Sequence, residues 1–138
     1  MSTEEALPDL TRAGHCFVCG KDNPLGMHLR FRHPEPGRAE TECVIPEHYS
    51  GWERITHGGI LATLLDETMA YACLSREGNA VTAELTVRFL KPVEVGQSVR
   101  VTGRVVETRR RVVNTEGEIL GADGQAVARG QARFLLVS

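Results

Sequence analysis

The chain lacks an excess of basic charge. Sixteen Lys and Arg against eighteen Asp and Glu leave a formal net charge of −2. Nucleic acids and anionic membranes are held by basic fields, so neither is an expected partner, and a small molecule is. Long apolar runs are also missing. No stretch reaches the roughly 18 residues needed to cross a bilayer, and the N-terminus carries no basic segment followed by an apolar one. A soluble, cytoplasmic protein without a membrane partner is therefore expected. A disulfide framework is missing as well: Cys43 and Cys73 stand alone, and Cys16 and Cys19 form a Cys-x-x-Cys, which fits a reducing compartment. Internal repeats and low-complexity segments are absent. What is present is 138 residues, 41% hydrophobic, the length of one ordinary domain able to bury a core without metals or disulfides.

Residues 1–13 carry Glu4, Glu5, Pro8 and Asp9 among few apolar positions and read as a flexible tail, leaving 14–138 as a single domain. A loop rich in turn residues runs from Cys16 to Gly26. Met27 to Arg32 alternates as a first strand, and Pro34-Glu35-Pro36-Gly37 turns the chain into a second, Arg38 to Ile45, so the two read as a hairpin. Beyond Asn79 the apolar period becomes two. Val81, Ala83, Leu85, Val87 and Phe89 share one strand face, and Thr82, Glu84, Thr86, Arg88 and Leu90 the other. Gln97 to Thr108, Arg111 to Leu120 and Ala126 to Val137 follow, and short connections predict a four-stranded antiparallel meander.

Between these β regions lies Thr56-His57-Gly58-Gly59-Ile60-Leu61-Ala62-Thr63-Leu64-Leu65-Asp66-Glu67. Two glycines head a helix that is apolar almost throughout from Ile60 to Leu74, so protein should wrap it on most sides until it ends near Gly78-Asn79. Thr63, Asp66 and Glu67 interrupt the apolar run on one stripe. Burying that stripe without partners would cost several kcal/mol, a pattern that stability alone does not favour. A single apolar helix among antiparallel strands predicts an α+β domain in which a curved sheet of about six strands wraps the helix.

His57-Gly58-Gly59 followed by Asp66, the strand Ala80 to Phe89 with its closing Lys91-Pro92, and the opening Cys16-Phe17-Val18-Cys19-Gly20 with Asn23-Pro24-Leu25-Gly26 together resemble the hotdog-fold acyl-CoA thioesterases of the phenylacetic-acid-pathway type, relatives of hydroxybenzoyl-CoA thioesterase. The resemblance covers roughly Cys16 to Val137. It implies a hotdog domain that works as a dimer or dimer of dimers, hydrolyses aryl or short- to medium-chain acyl-CoA, and needs no cofactor. One departure stands out: many members carry Asn or Gln shortly before the His-Gly-Gly, where this chain has Gly51.

Thioester hydrolysis needs a donor for the oxygen that becomes negative and a carboxylate to attack or to activate water. The N–H of Gly58, at the positive helix end, is the natural donor, and His57 would fix that turn. By the family match, Asp66 is the base or nucleophile and Thr82 positions water or the carboxylate. Gly58 and Asp66 are eight residues apart, about 12 Å along one helix, so one carbonyl cannot meet both. Antiparallel helices in a two-fold homodimer would bring Asp66 of one subunit to Gly58 of the other. Gly59, Thr63 and Glu67 are assigned to substrate binding beside them, Glu67 not being expected to act as the catalytic carboxylate. Arg54, Arg88 and Lys91 are candidates for the phosphates of coenzyme A.

Two other functions fit the same scaffold: a non-catalytic acyl-CoA-binding domain, which the His57/Asp66 pair disfavours, and an enoyl hydratase, which should carry a different motif at the histidine. Cys16-x-x-Cys19 invites zinc, with His15, His33 or Cys43 as further ligands, but one such pair is a weak signal. A plain loop with half-buried cysteines is preferred, and no metal is expected. Arg109-Arg110-Arg111 reads as a solvated hairpin tip, and Trp52, Met69 and Tyr71 as core or interface.

Overall fold

The computed structural model describes residues 16–137, so the expected N-terminal tail lies outside the described residues. The period-two segments form β1 (Arg38–Val44), β2 (Ala80–Phe89), β3 (Ser98–Arg109), β4 (Val112–Leu120) and β5 (Ala126–Leu136), and the apolar stretch forms α1 (Gly58–Arg76). All five strands join one antiparallel sheet in the order β1-β3-β4-β5-β2. Helix α1 packs on this sheet as expected of a hotdog domain.

Two expectations need correction. The four-stranded meander is three strands long, β3-β4-β5, because β2 pairs with β5 at the far edge. The stretch between Phe89 and Ser98 is long enough to carry the chain back across the sheet, anchored by buried Val93 and Val95 and a bridge between Ile55 and Glu94. The expected strand Met27 to Arg32 contributes only an isolated bridge between Arg32 and Glu40. His28 there is left-handed, φ 55°, which breaks an extended run. The N–H groups of Met27 and Leu29 are spent on the carbonyls of Phe17 and Val18, at 2.7 and 2.9 Å, so this segment fastens the Cys16 to Gly26 loop instead of extending the sheet.

Leu61, Leu64, Leu65, Met69 and Cys73 of α1 are buried against Val99, Val101, Val113, Ile119 and Phe134. The helix seats closely because Gly103, Gly117 and Gly130 stand side by side on β3, β4 and β5. A methyl group on Gly103 would come within 3.2 Å of the Met69 backbone, and one on Gly130 within 3.2 Å of Leu65 Cδ1. The helix face away from the sheet, including Ala62, Thr63, Asp66, Glu67 and Ala70, stays half-buried. The opposite side of the sheet is charged and internally paired, with Arg133 on Glu84, Arg129 on Glu118 and Arg104 on Glu116. Such a face is solvated and contributes little to stability.

Candidate active site

Helix α1 starts at an unusual cap. His57 occupies the N-cap position with extended backbone, and its Nδ1 accepts the Gly59 N–H at 2.8 Å. In the neutral ring the proton therefore sits on Nε2. The His57 N–H donates to Tyr49 O at 2.9 Å, and the His57 carbonyl accepts from Ile60 at 2.9 Å. Of the first N–H groups of the helix, those of Gly59 and Ile60 are thus engaged, while that of Gly58 has no acceptor among the described residues. A free N–H at a helix N-terminus is what a developing negative charge seeks. Gly51, the position at which the resemblance leads one to expect an amide, lies against the same turn: a methyl group on it would be 3.3 Å from His57 Cα.

Two turns further on, Asp66 Oδ1 accepts a hydrogen bond of 2.7 Å from Thr82 Oγ1. Simple alternation would turn Thr82 away with Glu84 and Arg88. A β-bulge prevents this. Thr82 pairs with Phe134 and Glu84 with Arg133, leaving Ala83 as an extra residue, and an extra residue exchanges the faces on either side of it. Upstream of the bulge Thr82 shares the inner face with buried Phe134; downstream, half-buried Leu85 and Val87 continue that face, while Glu84 pairs outward with Arg133. Phe89 on this face lies against Gly58, where a Cβ would meet its ring at 3.4 Å, yet the side chain is 53% exposed. Sequence reasoning missed Phe89 as a site residue, because a strand phenylalanine reads as core.

A model of the thioesterase superfamily matches residues 54–128, from just before the His57 turn to β5. The chain belongs to the thioesterase superfamily. It is similar to human acyl-coenzyme A thioesterase 13, 28% identical over 74 residues that make up 52% of this chain and 53% of that protein. The chain thus spans about half the length of the curated relatives it matches. A conserved protein from Pseudomonas aeruginosa is 32% identical, with a TM-score of 0.73 over 79% of this chain and 88% of that one. The phenylacetic acid degradation protein PaaI from Thermus thermophilus is 24% identical, with a TM-score of 0.73 over 79% and 93%, and shares the fold.

The remaining residues assigned to the site in this thioesterase-superfamily chain do not converge. Thr63 bonds back to the Gly59 carbonyl at 2.8 Å. Arg54 is committed to Glu47 and the Val95 carbonyl, at 3.3 and 3.2 Å, and Lys91 to Gln125. Arg88 faces outward into a furrow of about 610 Å³ that it shares with Arg38, Arg104 and Arg129. That furrow contains none of His57, Gly58, Asp66 or Thr82. Glu67 turns away from Asp66 toward the N-terminal loop, where Cys16 Sγ lies 3.5 Å from its Oε2. Burial, reinforced by Glu67, pushes the Cys19 thiol up to about 12. Burial and the hydrogen bond to Cys19 likewise raise the Tyr71 hydroxyl. Tyr71 stacks on Phe31, centroids 4.2 Å apart, and Met69 is fully buried, whereas Trp52 is 87% exposed and so is not core of the single chain. Arg109 ends β3, and Arg110 and Arg111 form the β3–β4 turn, Arg110 at φ 58°. No described helix is long and apolar enough to cross a membrane.

Proposed function

We propose that the protein hydrolyses acyl-CoA thioesters at sites shared by two subunits. The observation that carries this reading is the Asp66–Thr82 hydrogen bond on the same helix as the unengaged N–H of Gly58. The substrate carbonyl oxygen accepts from Gly58 N–H, which stabilises the oxyanion as it forms. Asp66 of the partner subunit either takes a proton from the attacking water or attacks the carbonyl carbon itself, with Thr82 fixing which carboxylate oxygen is available. Collapse of the tetrahedral intermediate expels the coenzyme A thiolate, a good leaving group that needs little acid assistance. If Asp66 attacks, water then cleaves the resulting anhydride to release the acid.

The homodimer rests on two observations. Gly58 and Asp66 are about 12 Å apart along α1, too far for one reacting carbon. Strand β2 ends the sheet, and its residues Val81, Phe89 and the adjoining Leu90 are 45%, 53% and 41% exposed. An apolar edge left unpaired among the described residues is a template for pairing with a second copy. The name of the human relative, an acyl-coenzyme A thioesterase, favours acyl-CoA as substrate, and the four free thiols suit a cytoplasmic setting. The shared scaffold leaves aryl, short and medium acyl groups as substrate candidates.

The test is thiol release from a panel of aryl- and acyl-CoA esters by wild type and Asp66→Asn, both checked by circular dichroism. Hydrolysis by wild type with a loss of about 10² to 10⁴ in the variant is expected. Full activity in folded Asp66→Asn removes that residue from the mechanism. Binding of acyl-CoA without hydrolysis by wild type replaces it with a binding domain. Label found in Asp66 after single-turnover hydrolysis in ¹⁸O water establishes the nucleophilic role, since a general base takes up no oxygen from water.

A further inference from the structure

Apart from Asp66 and Thr82, α1 and the N-terminal loop bring a second set of reactive side chains together. Cys16 Sγ, Cys19 Sγ and a carboxylate oxygen of Glu67 all lie within 4.8 Å of one another, and the Cys16 Sγ to Glu67 Oε2 distance is 3.5 Å. A tetrahedral zinc ion, with bonds of about 2.3 Å to sulfur and about 2.1 Å to oxygen, sets an S···O edge of about 3.6 Å and an S···S edge of about 3.8 Å. We infer that Cys16, Cys19 and Glu67 bind a zinc ion that ties the N-terminal loop to the helix turn carrying Asp66.

The ligands are placed by structure that does not depend on the ion. The Gly20 N–H donates to Cys16 O at 2.9 Å, closing the turn that sets both thiols on one side. Met27 and Leu29 hold the loop through the Phe17 and Val18 carbonyls, and the Val18 side chain is buried. Glu67 comes from the middle of a nineteen-residue helix. Tyr71, one turn further along, bonds to Cys19 and is held by its stack on Phe31, at 4.2 Å and 14°, a supporting contact of the kind that orients metal ligands. Two thiolates and one carboxylate suit borderline-soft zinc and not magnesium or calcium, which take all-oxygen shells.

Of the further ligands nominated from sequence, His33 and Cys43 are not in this cluster. His33 Nδ1 bonds to Arg38 O at 3.1 Å and Cys43 lies on β1, while His15 is outside the described residues. Glu67 supplies the third ligand because the loop folds over its side of α1. This site stands whether or not Asp66 is catalytic.

Zinc content is measured on full-length protein made without chelator or metal-affinity tag, for wild type, Cys16→Ser, Cys19→Ser, Glu67→Gln and, as a control, Cys43→Ser. Stoichiometric zinc in wild type and Cys43→Ser, and its loss in the other three, is expected. Wild type that carries no zinc and takes up none from a chromophoric chelator overturns the proposal. So does zinc retained in the Cys16/Cys19 double variant, an unchanged zinc affinity in folded Glu67→Gln, or a Cys16–Cys19 disulfide in protein kept under mild reductant. If the cysteine variants fail to fold, Co²⁺ added to wild type decides: thiolate-to-metal absorption is expected, and its absence overturns the assignment. Removing zinc from wild type should lower Tm by several degrees, since an ion bound only by the folded state stabilises it.

Discussion

Thr82 Oγ1 donates to Asp66 Oδ1 at 2.7 Å, and it reaches that oxygen only because Ala83 is an extra residue in β2. A hydrogen bond to a charged group contributes about 1.5–3 kcal/mol. If the bond persists at the transition state, Thr82→Val lowers kcat by about ten- to a hundredfold, and Thr82→Ser keeps most of the activity. Steady-state thiol release from a good acyl-CoA ester measures both. An unchanged kcat in folded Thr82→Val would remove Thr82 from the site.

The two glycines at the helix head should respond differently to the same substitution. A methyl group on Gly59 would lie 3.0 Å from His57 Nδ1 and displace the cap, whereas one on Gly58 would meet the Phe89 ring at 3.4 Å, an ordinary contact. Loss of a cap costs about 1 kcal/mol, so Gly59→Ala should be less stable than Gly58→Ala by roughly that amount in urea unfolding. Gly58→Ala should keep its fold and lose activity, since the added methyl crowds the approach to its N–H. Equal stability of the two variants would contradict the His57 cap.

The glycine row under α1 predicts a stability defect that side-chain trimming cannot relieve. At Gly103 the added Cβ would lie 3.2 Å from Met69 Cα and N and from Thr68 C, all backbone atoms. Overpacking of this kind costs about 1–3 kcal/mol. Gly103→Ala should lower the urea midpoint by a corresponding amount, and adding Met69→Ala should not restore it. Rescue by the second substitution would mean that the helix rests on side chains alone.

Alkaline pH should loosen the fold through Cys73. This thiol is fully buried, and desolvation, aided by Glu77, raises it from its ordinary 9.0 to about 11. The unfolded chain releases this proton first, so stability falls as pH rises from about 9 to about 11. Cys73→Ala flattens that part of the profile at the cost of a smaller core. Chemical unfolding at a series of pH values reads both effects, and an unchanged alkaline slope in the variant would refute the assignment.

Hydrophobic period identified α1 and the strands from β1 to β5 to within a residue or two at most ends, because alternation and helical spacing are recorded directly in which residues are apolar. The His57-Gly58-Gly59 turn and the Asp66 position were legible for a related reason: polar residues in an otherwise apolar helix stand out against their background. The strand Met27 to Arg32 misled because its alternation is real, while its hydrogen bonds go to the Phe17 and Val18 carbonyls instead of a ladder.

Sequence by itself determined where α1 and the strands from β1 to β5 lie, that the helix carries a carboxylate eight positions after its glycine head, and that the chain is near-neutral in charge. Tertiary structure alone decided the strand order, because side-chain period fixes a residue's face and says nothing about which edges pair. It decided the placement of Thr82, because a bulge is set by the partner strand, β5, and leaves no mark in the local pattern of β2. It also turned Glu67 from the side of Asp66 to the two cysteines, since a step of 100° around a helix gains its meaning only from what packs there.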